Sequence, residues 1–108
     1  DGHWVRAKGA DTFCPLGPWM VTHFSIAEAS HRQIVTRLDG REVQHGNTDQ
    51  MVHTIPKLIS YISSFMTLLP GDVILTGTPA GVGPMELGQR VEVEIEGIGT
   101  LTNAVVEV

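Results

Sequence analysis

The stretch QIVTRLDGREVQH, residues 33–45, holds the strongest structural signal in the sequence. Apolar and polar residues alternate on both sides of Asp39-Gly40, which is typical of β-strands with one buried face. Asp-Gly is a preferred dipeptide for a two-residue hairpin turn, because both turn positions need a positive φ. The stretch therefore predicts a β-hairpin with strands over residues 33–38 and 41–45.

A second alternating segment covers residues 91–96, where valine or isoleucine alternates with three glutamates. This pattern predicts a half-buried strand with an acidic outer face. The turn Gly97-Ile98-Gly99 then leads into a partner strand over residues 101–108. Two further short strands are predicted at residues 19–24 and 73–75.

One segment has a helical period: seven apolar residues of the segment 55–69 fall on one stripe, with Thr54 as N-cap and Pro70-Gly71 as the stop. Residues 1–18 predict an ordered loop, and residues 25–30 a polar connection with a single helical turn. The predicted fold class is mainly β with one amphipathic helix, in a rolled or sandwiched sheet. A parallel α/β fold is not expected, because strands and helices do not alternate.

Composition limits the possible classes of protein. A chain of 108 residues forms one domain at most, and it has no apolar run near the roughly 20 residues that span a bilayer. The net charge of −5, with seven scattered Lys and Arg residues, argues against nucleic-acid binding. Cys14 is alone and fits a reducing cytoplasm. The first residue is Asp1 and no targeting signal is visible, so we expect an interior piece or a processed product.

The segment PGDVILTGTPAGVG, residues 70–83, contains the most suggestive loop. Its glycines allow positive φ or close approach to a ligand, and Thr76 and Thr78 offer hydroxyls. Such a loop suits the rim of a pocket for carboxylate or keto oxygens, although a tight turn between strands would have a similar composition. Both phosphate-binding glycine motifs are missing, so nucleotide binding is not expected.

Other chemical groups give weaker signals. Lys8 lies among glycines and apolar anchors, where a fixed ammonium could stabilise an enolate or carboxylate, or could simply lie on the surface. The five histidines form no zinc motif. Asp49 and His53 have the spacing of one helical turn, which is more typical of a pair of surface side chains than of a functional site. The glutamates of residues 92–96 are more typical of a solvated face than of a metal site.

Three segments together resemble the C-terminal part of the fumarylacetoacetate hydrolase family: KGADTFCPLGP (residues 8–18), GREVQHGNTDQM (40–51) and PGDVILTGTPAGVG (70–83). The order is right, and a G-I-G-x-L-x-N pattern follows at residues 97–103. Within the family the resemblance is to the bacterial-type branch, which contains fumarylpyruvate or acylpyruvate hydrolases, 2-hydroxyhepta-2,4-diene-1,7-dioate isomerases and related decarboxylases. The resemblance implies that residues 1–108 are the C-terminal part of one catalytic domain, a mixed β-sandwich roll.

The resemblance also implies a function in the catabolism of aromatic compounds. Family members use a divalent cation, usually Mg²⁺ and otherwise Mn²⁺ or Ca²⁺, to stabilise the enolate of a 2-oxo or β-diketo acid. By motif position, Lys8 resembles the catalytic pocket lysine, and Thr12 the hydroxyl residue near the metal. Thr78, beside Gly77, resembles the threonine that binds the substrate carboxylate. A cytoplasmic homodimer, without nucleic acid or membrane as a partner, is the implied form.

The chain departs from the family pattern in one respect. In the family, the metal ligands are an E-x-E pair and an aspartate, and a His-Glu pair is catalytic. By motif position, all of these residues would precede Asp1. No metal ligand is therefore expected in this chain, and residues 1–108 alone should be inactive. Two classes of function remain. In the first, the chain is part of a hydrolase or isomerase, and the alternative reaction is decarboxylation of an oxaloacetate-like acid. In the second, the chain is a non-catalytic structural or dimerising half-domain.

Overall fold

The structure, a computed structural model, describes residues 2–107. Its centre is an antiparallel sheet of four strands in the order β2-β1-β3-β4. The strands are β1 (Gln33–Leu38), β2 (Arg41–Asn47), β3 (Arg90–Ile95) and β4 (Gly99–Ala104). The helices are α1 (Trp4–Lys8), α2 (Ile26–Ala29) and α3 (Ile55–Ser63), with a 3₁₀ turn at Thr48–Gln50. The prediction of a mainly β chain with one longer helix is confirmed.

The predicted hairpin is present and joins β1 to β2. Asp39 and Gly40 have φ of 49° and 80°, as the two-residue turn requires. Strand β2 runs two residues further than predicted, to Asn47. The register shifts after Thr36, which pairs with Gln44, so that Val43 is an extra residue in β2. Such a β-bulge bends the strand locally and changes the direction of its side chains.

The two faces of the sheet differ in chemistry. Ile34, Val93 and Leu101 occupy register positions on one face, where they are half-buried. On the other face Arg37 Nη2 lies 2.6 Å from Glu94 Oε2, and Arg90 Nε lies 3.5 Å from Glu92 Oε1. The glutamates of β3 therefore belong to a charged face, with one ion pair across strands (Arg37–Glu94) and one within β3 (Arg90–Glu92).

Helix α3 begins as predicted but ends earlier. The Thr54 hydroxyl accepts a hydrogen bond from the Lys57 N–H at 3.4 Å, which confirms the N-cap. The helix ends at Ser63 instead of continuing to residue 69. The Ser63 and Ser64 hydroxyls donate to the carbonyls of Ser60 and Tyr61, at 3.2 and 2.7 Å. Serine hydroxyls that compete for backbone partners in this way weaken a helix interior.

Several predicted boundaries were wrong. Residues 19–24 and 73–75 do not form strands, because neither segment pairs with a neighbouring strand within residues 2–107. Residues 4–8 form a short helix where a loop was predicted. Strand β4 stops at Ala104, after which the Val105 N–H donates to the Gln89 carbonyl at 2.8 Å. The last predicted residue of that strand, Val108, lies outside the described residues.

The described part of the chain is less compact than a typical domain of its size, and it buries little apolar surface. Its Cα radius of gyration is 15.1 Å, against about 13 Å for a compact domain of this length. Within residues 2–107 no hydrophobic side chain is fully buried, and nineteen large apolar side chains are exposed. The longest helix in this range has nine residues, and none is long and apolar enough to cross a membrane.

Candidate functional site

The glycine-rich loop of residues 76–81 is attached to strand β2 by one side chain. Gln44 Nε2 donates to Thr78 Oγ1 at 2.7 Å and to the Pro79 carbonyl oxygen at 2.9 Å. The orientation of the amide follows from the second bond, because only its NH₂ group can donate to a carbonyl. A single amide therefore binds both the side chain and the backbone of the loop.

Two glycines allow this close approach. Gly81 has a φ of 107°, and a Cβ at this position would lie 2.1 Å from the Val43 carbonyl oxygen. Gly46, buried in β2, leaves room for the Pro79 ring, which would lie 3.3 Å from a Cβ there. Any larger side chain at Gly81 would push the loop away from the strand, because the clash is with backbone.

A cavity of about 310 Å³ lies where this loop, the end of β2, the 3₁₀ turn and α3 meet. This volume is at the small end of the range for ligand pockets. The apolar part of the wall includes Ile34, Met51 and Leu58. The polar part consists of uncharged groups and one histidine: Asn47, Thr48, Gln50, His53, Thr76 and Thr78.

The 3₁₀ turn at one side of the cavity is fixed by its own hydrogen bonds. The Asn47 side chain accepts from the Asp49 N–H at 3.0 Å, and Gln50 Oε1 accepts from the Asn47 N–H at 2.9 Å. Thr48 Oγ1 donates to the Ala29 carbonyl at 2.7 Å and accepts from the Arg32 N–H at 2.9 Å. This wall is therefore held in place before any ligand binds.

The structure brings together only some of the residues predicted from the sequence. Gly77 and Thr78 line the cavity, and Thr78 is exposed. Lys8 is exposed at the end of α1, and Thr12 is exposed with a φ of 69°; neither lines the cavity. The segments 40–51 and 70–83 thus form one site, and the roles of all four residues stay predictions.

The sequence reasoning missed the residues that hold the site together. Gln44 contacts a residue 34 positions away, and no local pattern marks such a contact. The turn at Thr48–Gln50 did have a signal, because an Asn followed three residues later by Gln is a capping-box pattern. Asp49, considered as a partner of His53, instead lies 3.6 Å from His31 Nδ1.

Side chains able to bind a metal ion are dispersed over the described part of the chain. Within residues 2–107 no three His, Cys, Asp or Glu side chains lie close enough together to hold an ion. The acidic and histidine groups meet in pairs, such as His45 Nδ1 and Glu42 Oε1 at 3.1 Å. The expectation that upstream residues supply the metal ligands remains a prediction.

The glycine-rich loop thus sits at the edge of the sheet beside a small cavity, and Thr78 is among the residues that line it. Residues 1–106 match the family model for the C-terminal region of fumarylacetoacetate (FAA) hydrolases. The chain belongs to the fumarylacetoacetate hydrolase family, as its three motif segments had indicated.

Similar proteins include several enzymes. A 5-carboxymethyl-2-hydroxymuconate delta-isomerase from Mycobacterium smegmatis superposes with a TM-score of 0.92 and 55% identity, over 98% of this chain and 41% of that one. A maleylpyruvate hydrolase from Sphingobium sp. SYK-6, in complex with manganese(II) and pyruvate, gives a TM-score of 0.84 and 40% identity, over 89% and 36%.

Human mitochondrial oxaloacetate tautomerase FAHD2A is 47% identical over 110 residues, which cover 95% of this chain and 35% of that protein. This chain spans about two fifths of the length of the curated relatives that it matches. The sheet and the loop therefore correspond to only one part of each of these enzymes.

Proposed function

We propose that the polypeptide containing this chain processes a 2-oxo or β-diketo acid through an enolate, by hydrolysis of a C–C bond or by keto-enol isomerisation. The family and the relatives support this proposal. Maleylpyruvate and oxaloacetate are 2-oxo acids, and a 2-hydroxymuconate is the enol form of one. An enzyme of any of these classes must hold a carboxylate beside a carbonyl or enol oxygen.

The observation that carries the proposal is the position of Thr78 at the rim of the cavity. Thr78 is an exposed residue that lines the cavity, and its hydroxyl oxygen accepts a hydrogen bond from Gln44. A hydroxyl donor, next to the positive-φ backbone of Gly77, suits an acceptor such as a substrate carboxylate. We assign Thr78 and Gly77 to substrate binding on this basis.

The remaining assignments follow the family motif. Lys8 would place an ammonium beside the developing enolate, and Thr12 would lie near the metal. The metal would be Mg²⁺, Mn²⁺ or Ca²⁺, held by residues outside this chain, and it would polarise the keto-acid oxygens. Manganese in the maleylpyruvate hydrolase supports a divalent ion in the family.

The alternative reaction is decarboxylation of an oxaloacetate-like acid, since loss of CO₂ from such an acid also leaves an enolate. The similarity to an oxaloacetate tautomerase favours a substrate of this kind. A role in aromatic catabolism, a cytoplasmic location and a homodimeric form complete the proposal. The net charge of −5 argues against nucleic acid as a partner.

The test uses the complete polypeptide, purified with Mg²⁺ or Mn²⁺ and compared with the same protein after chelation. Fumarylpyruvate, acetylpyruvate, oxaloacetate and 2-hydroxyhepta-2,4-diene-1,7-dioate are offered separately, and the loss of enol absorbance is followed. NMR of the products separates hydrolysis, isomerisation and release of CO₂. Turnover of at least one substrate is expected, and failure with all four would contradict the proposed function and favour a non-catalytic half-domain.

A further inference from the structure

The side chain of Gln44 lies on the same face of the sheet as the cavity wall. In the register Gln44 is opposite Thr36, and Gly46 is opposite Ile34. Opposite residues of an antiparallel pair share one face, so Gln44 shares its face with Ile34 and Gly46, which line the cavity. The side chain is half-buried, so its conformation is restricted.

The hydrogen atoms of this contact can be assigned one by one. The Gln44 amide nitrogen carries two hydrogens, and both are used, one on Thr78 Oγ1 and one on the Pro79 carbonyl. The Thr78 oxygen is therefore the acceptor in its bond with Gln44. The hydroxyl hydrogen of Thr78 does not take part in that bond, and it remains available to an acceptor in the cavity.

We propose that Gln44 is a positioning residue that presents the Thr78 hydroxyl to the cavity as a hydrogen-bond donor. An ionised carboxylate only accepts hydrogen bonds, so a threonine held in this state recognises it without first breaking another bond. The inference rests on the proposed function for its ligand, whereas the attachment of the loop to β2 can be tested without any ligand.

Gln44→Glu gives the sharpest test, because it keeps the size of the side chain and changes its hydrogen-bonding character. Above the pKa of the introduced carboxyl the side chain cannot donate, so the Thr78 hydroxyl would turn toward it and away from the ligand. We expect KM for the 2-oxo acid to rise about tenfold to a hundredfold at pH 8, the effect of losing one such hydrogen bond, with a smaller change in kcat.

The pH dependence of this variant separates positioning from general destabilisation. When the introduced carboxyl is protonated it regains one O–H donor, so kcat/KM relative to wild type should recover as the pH is lowered. Gln44→Met has a similar size and no donor at any pH, so its ratio to wild type should stay low throughout. His45 and Glu42 are unchanged in wild type and in both variants. Their contribution to the pH dependence therefore cancels when the kcat/KM of each variant is divided by that of wild type.

A second measurement does not require activity. Amide hydrogen exchange of residues 76–81 should be faster in Gln44→Met than in wild type, while exchange in strand β3 should not change. If the wild-type polypeptide turns over no 2-oxo acid, the proposed function fails, and hydrogen exchange alone decides whether Gln44 holds the loop. Unchanged exchange, or an equal loss of kcat/KM at every pH in both variants, would overturn the proposal.

Discussion

The amide nitrogen of Gln44 lies 2.7 Å from the hydroxyl oxygen of Thr78, across 34 residues of chain. This bond joins the two motif segments that form the cavity, the end of the hairpin and the glycine-rich loop. One side of the site is therefore a strand that the local sequence predicts, and the other side is a loop whose position depends on a long-range contact. Variants of either side of the site are best made in the complete polypeptide.

Thr78 should act through its hydroxyl. Thr78→Val replaces the hydroxyl with a methyl group of similar size, and we expect KM for the substrate to rise at least about tenfold through loss of one hydrogen bond to a charged group. Thr78→Ser retains the donor and should stay within a few-fold of wild type. Steady-state kinetics measure both variants, and equal behaviour of the two would argue against a role for the hydroxyl.

Lys8 should contribute to the chemical step. Lys8→Ala should lower kcat by about a hundredfold or more, because a fixed ammonium near a developing enolate stabilises the transition state. Lys57→Ala removes another exposed lysine, close to the start of α3, and serves as the matched control. Unchanged kinetics in Lys8→Ala would remove this residue from the mechanism.

Gly81 should be essential for seating the loop. Gly81→Ala introduces a Cβ that would lie 2.1 Å from the Val43 carbonyl oxygen, at a φ of 107°. We expect a loss of about 2 to 4 kcal/mol in the free energy of unfolding, or local release of the loop with faster amide exchange. Gly83→Ala is the control, because nothing lies within 4 Å of its Cβ position. Urea denaturation with hydrogen exchange distinguishes the two responses.

The capping box of α2 should depend on pH. Hydrogen bonds from the Ser25 backbone and side chain lower the pKa of the Glu28 carboxyl below its ordinary value. A lowered folded-state pKa stabilises the cap above the unfolded pKa, and this stabilisation is lost as the pH falls through the folded value. NMR titration of Glu28 should show the shift, and Ser25→Ala, which removes the hydroxyl but keeps the backbone N–H, should return the pKa only part of the way to its ordinary value.

The separate polypeptide of residues 1–108 should have no acylpyruvate turnover with Mg²⁺. The described residues bring no three metal-ligating side chains together, and the family motif assigns the ligands elsewhere. Enol absorbance measures this, with the complete polypeptide as the positive control. Metal-dependent activity of the 108 residues would contradict the assignment of the metal ligands.

Local chemistry explains what could be predicted from the sequence. Asp39-Gly40 and the alternation around it predicted the hairpin, because the turn and strands depend on neighbouring residues. Thr54 predicted the start of α3 for the same reason, whereas the hydrogen bonds of the Ser63 and Ser64 hydroxyls to backbone carbonyls at its end are not revealed by the apolar period.

The segments 19–24 and 73–75 show the opposite case. Their apolar composition suits strands, but a strand also needs a partner, and neither segment pairs with one in the described residues. The position of Gln44 against Thr78 is equally non-local. Of the cavity wall, the sequence predicted only the glycine-rich loop. The part of the wall formed by β2 and the 3₁₀ turn became visible only in the folded structure.

The large apolar side chains that residues 2–107 leave exposed have a practical consequence. A polypeptide with so much apolar area in contact with water lowers its free energy by adhering to other copies. Produced separately, it should scatter light increasingly with concentration and temperature, and it should bind fluorescent dyes that report apolar surface. Expression of these residues as a free-standing unit therefore calls for a solubilising fusion partner and low induction temperature.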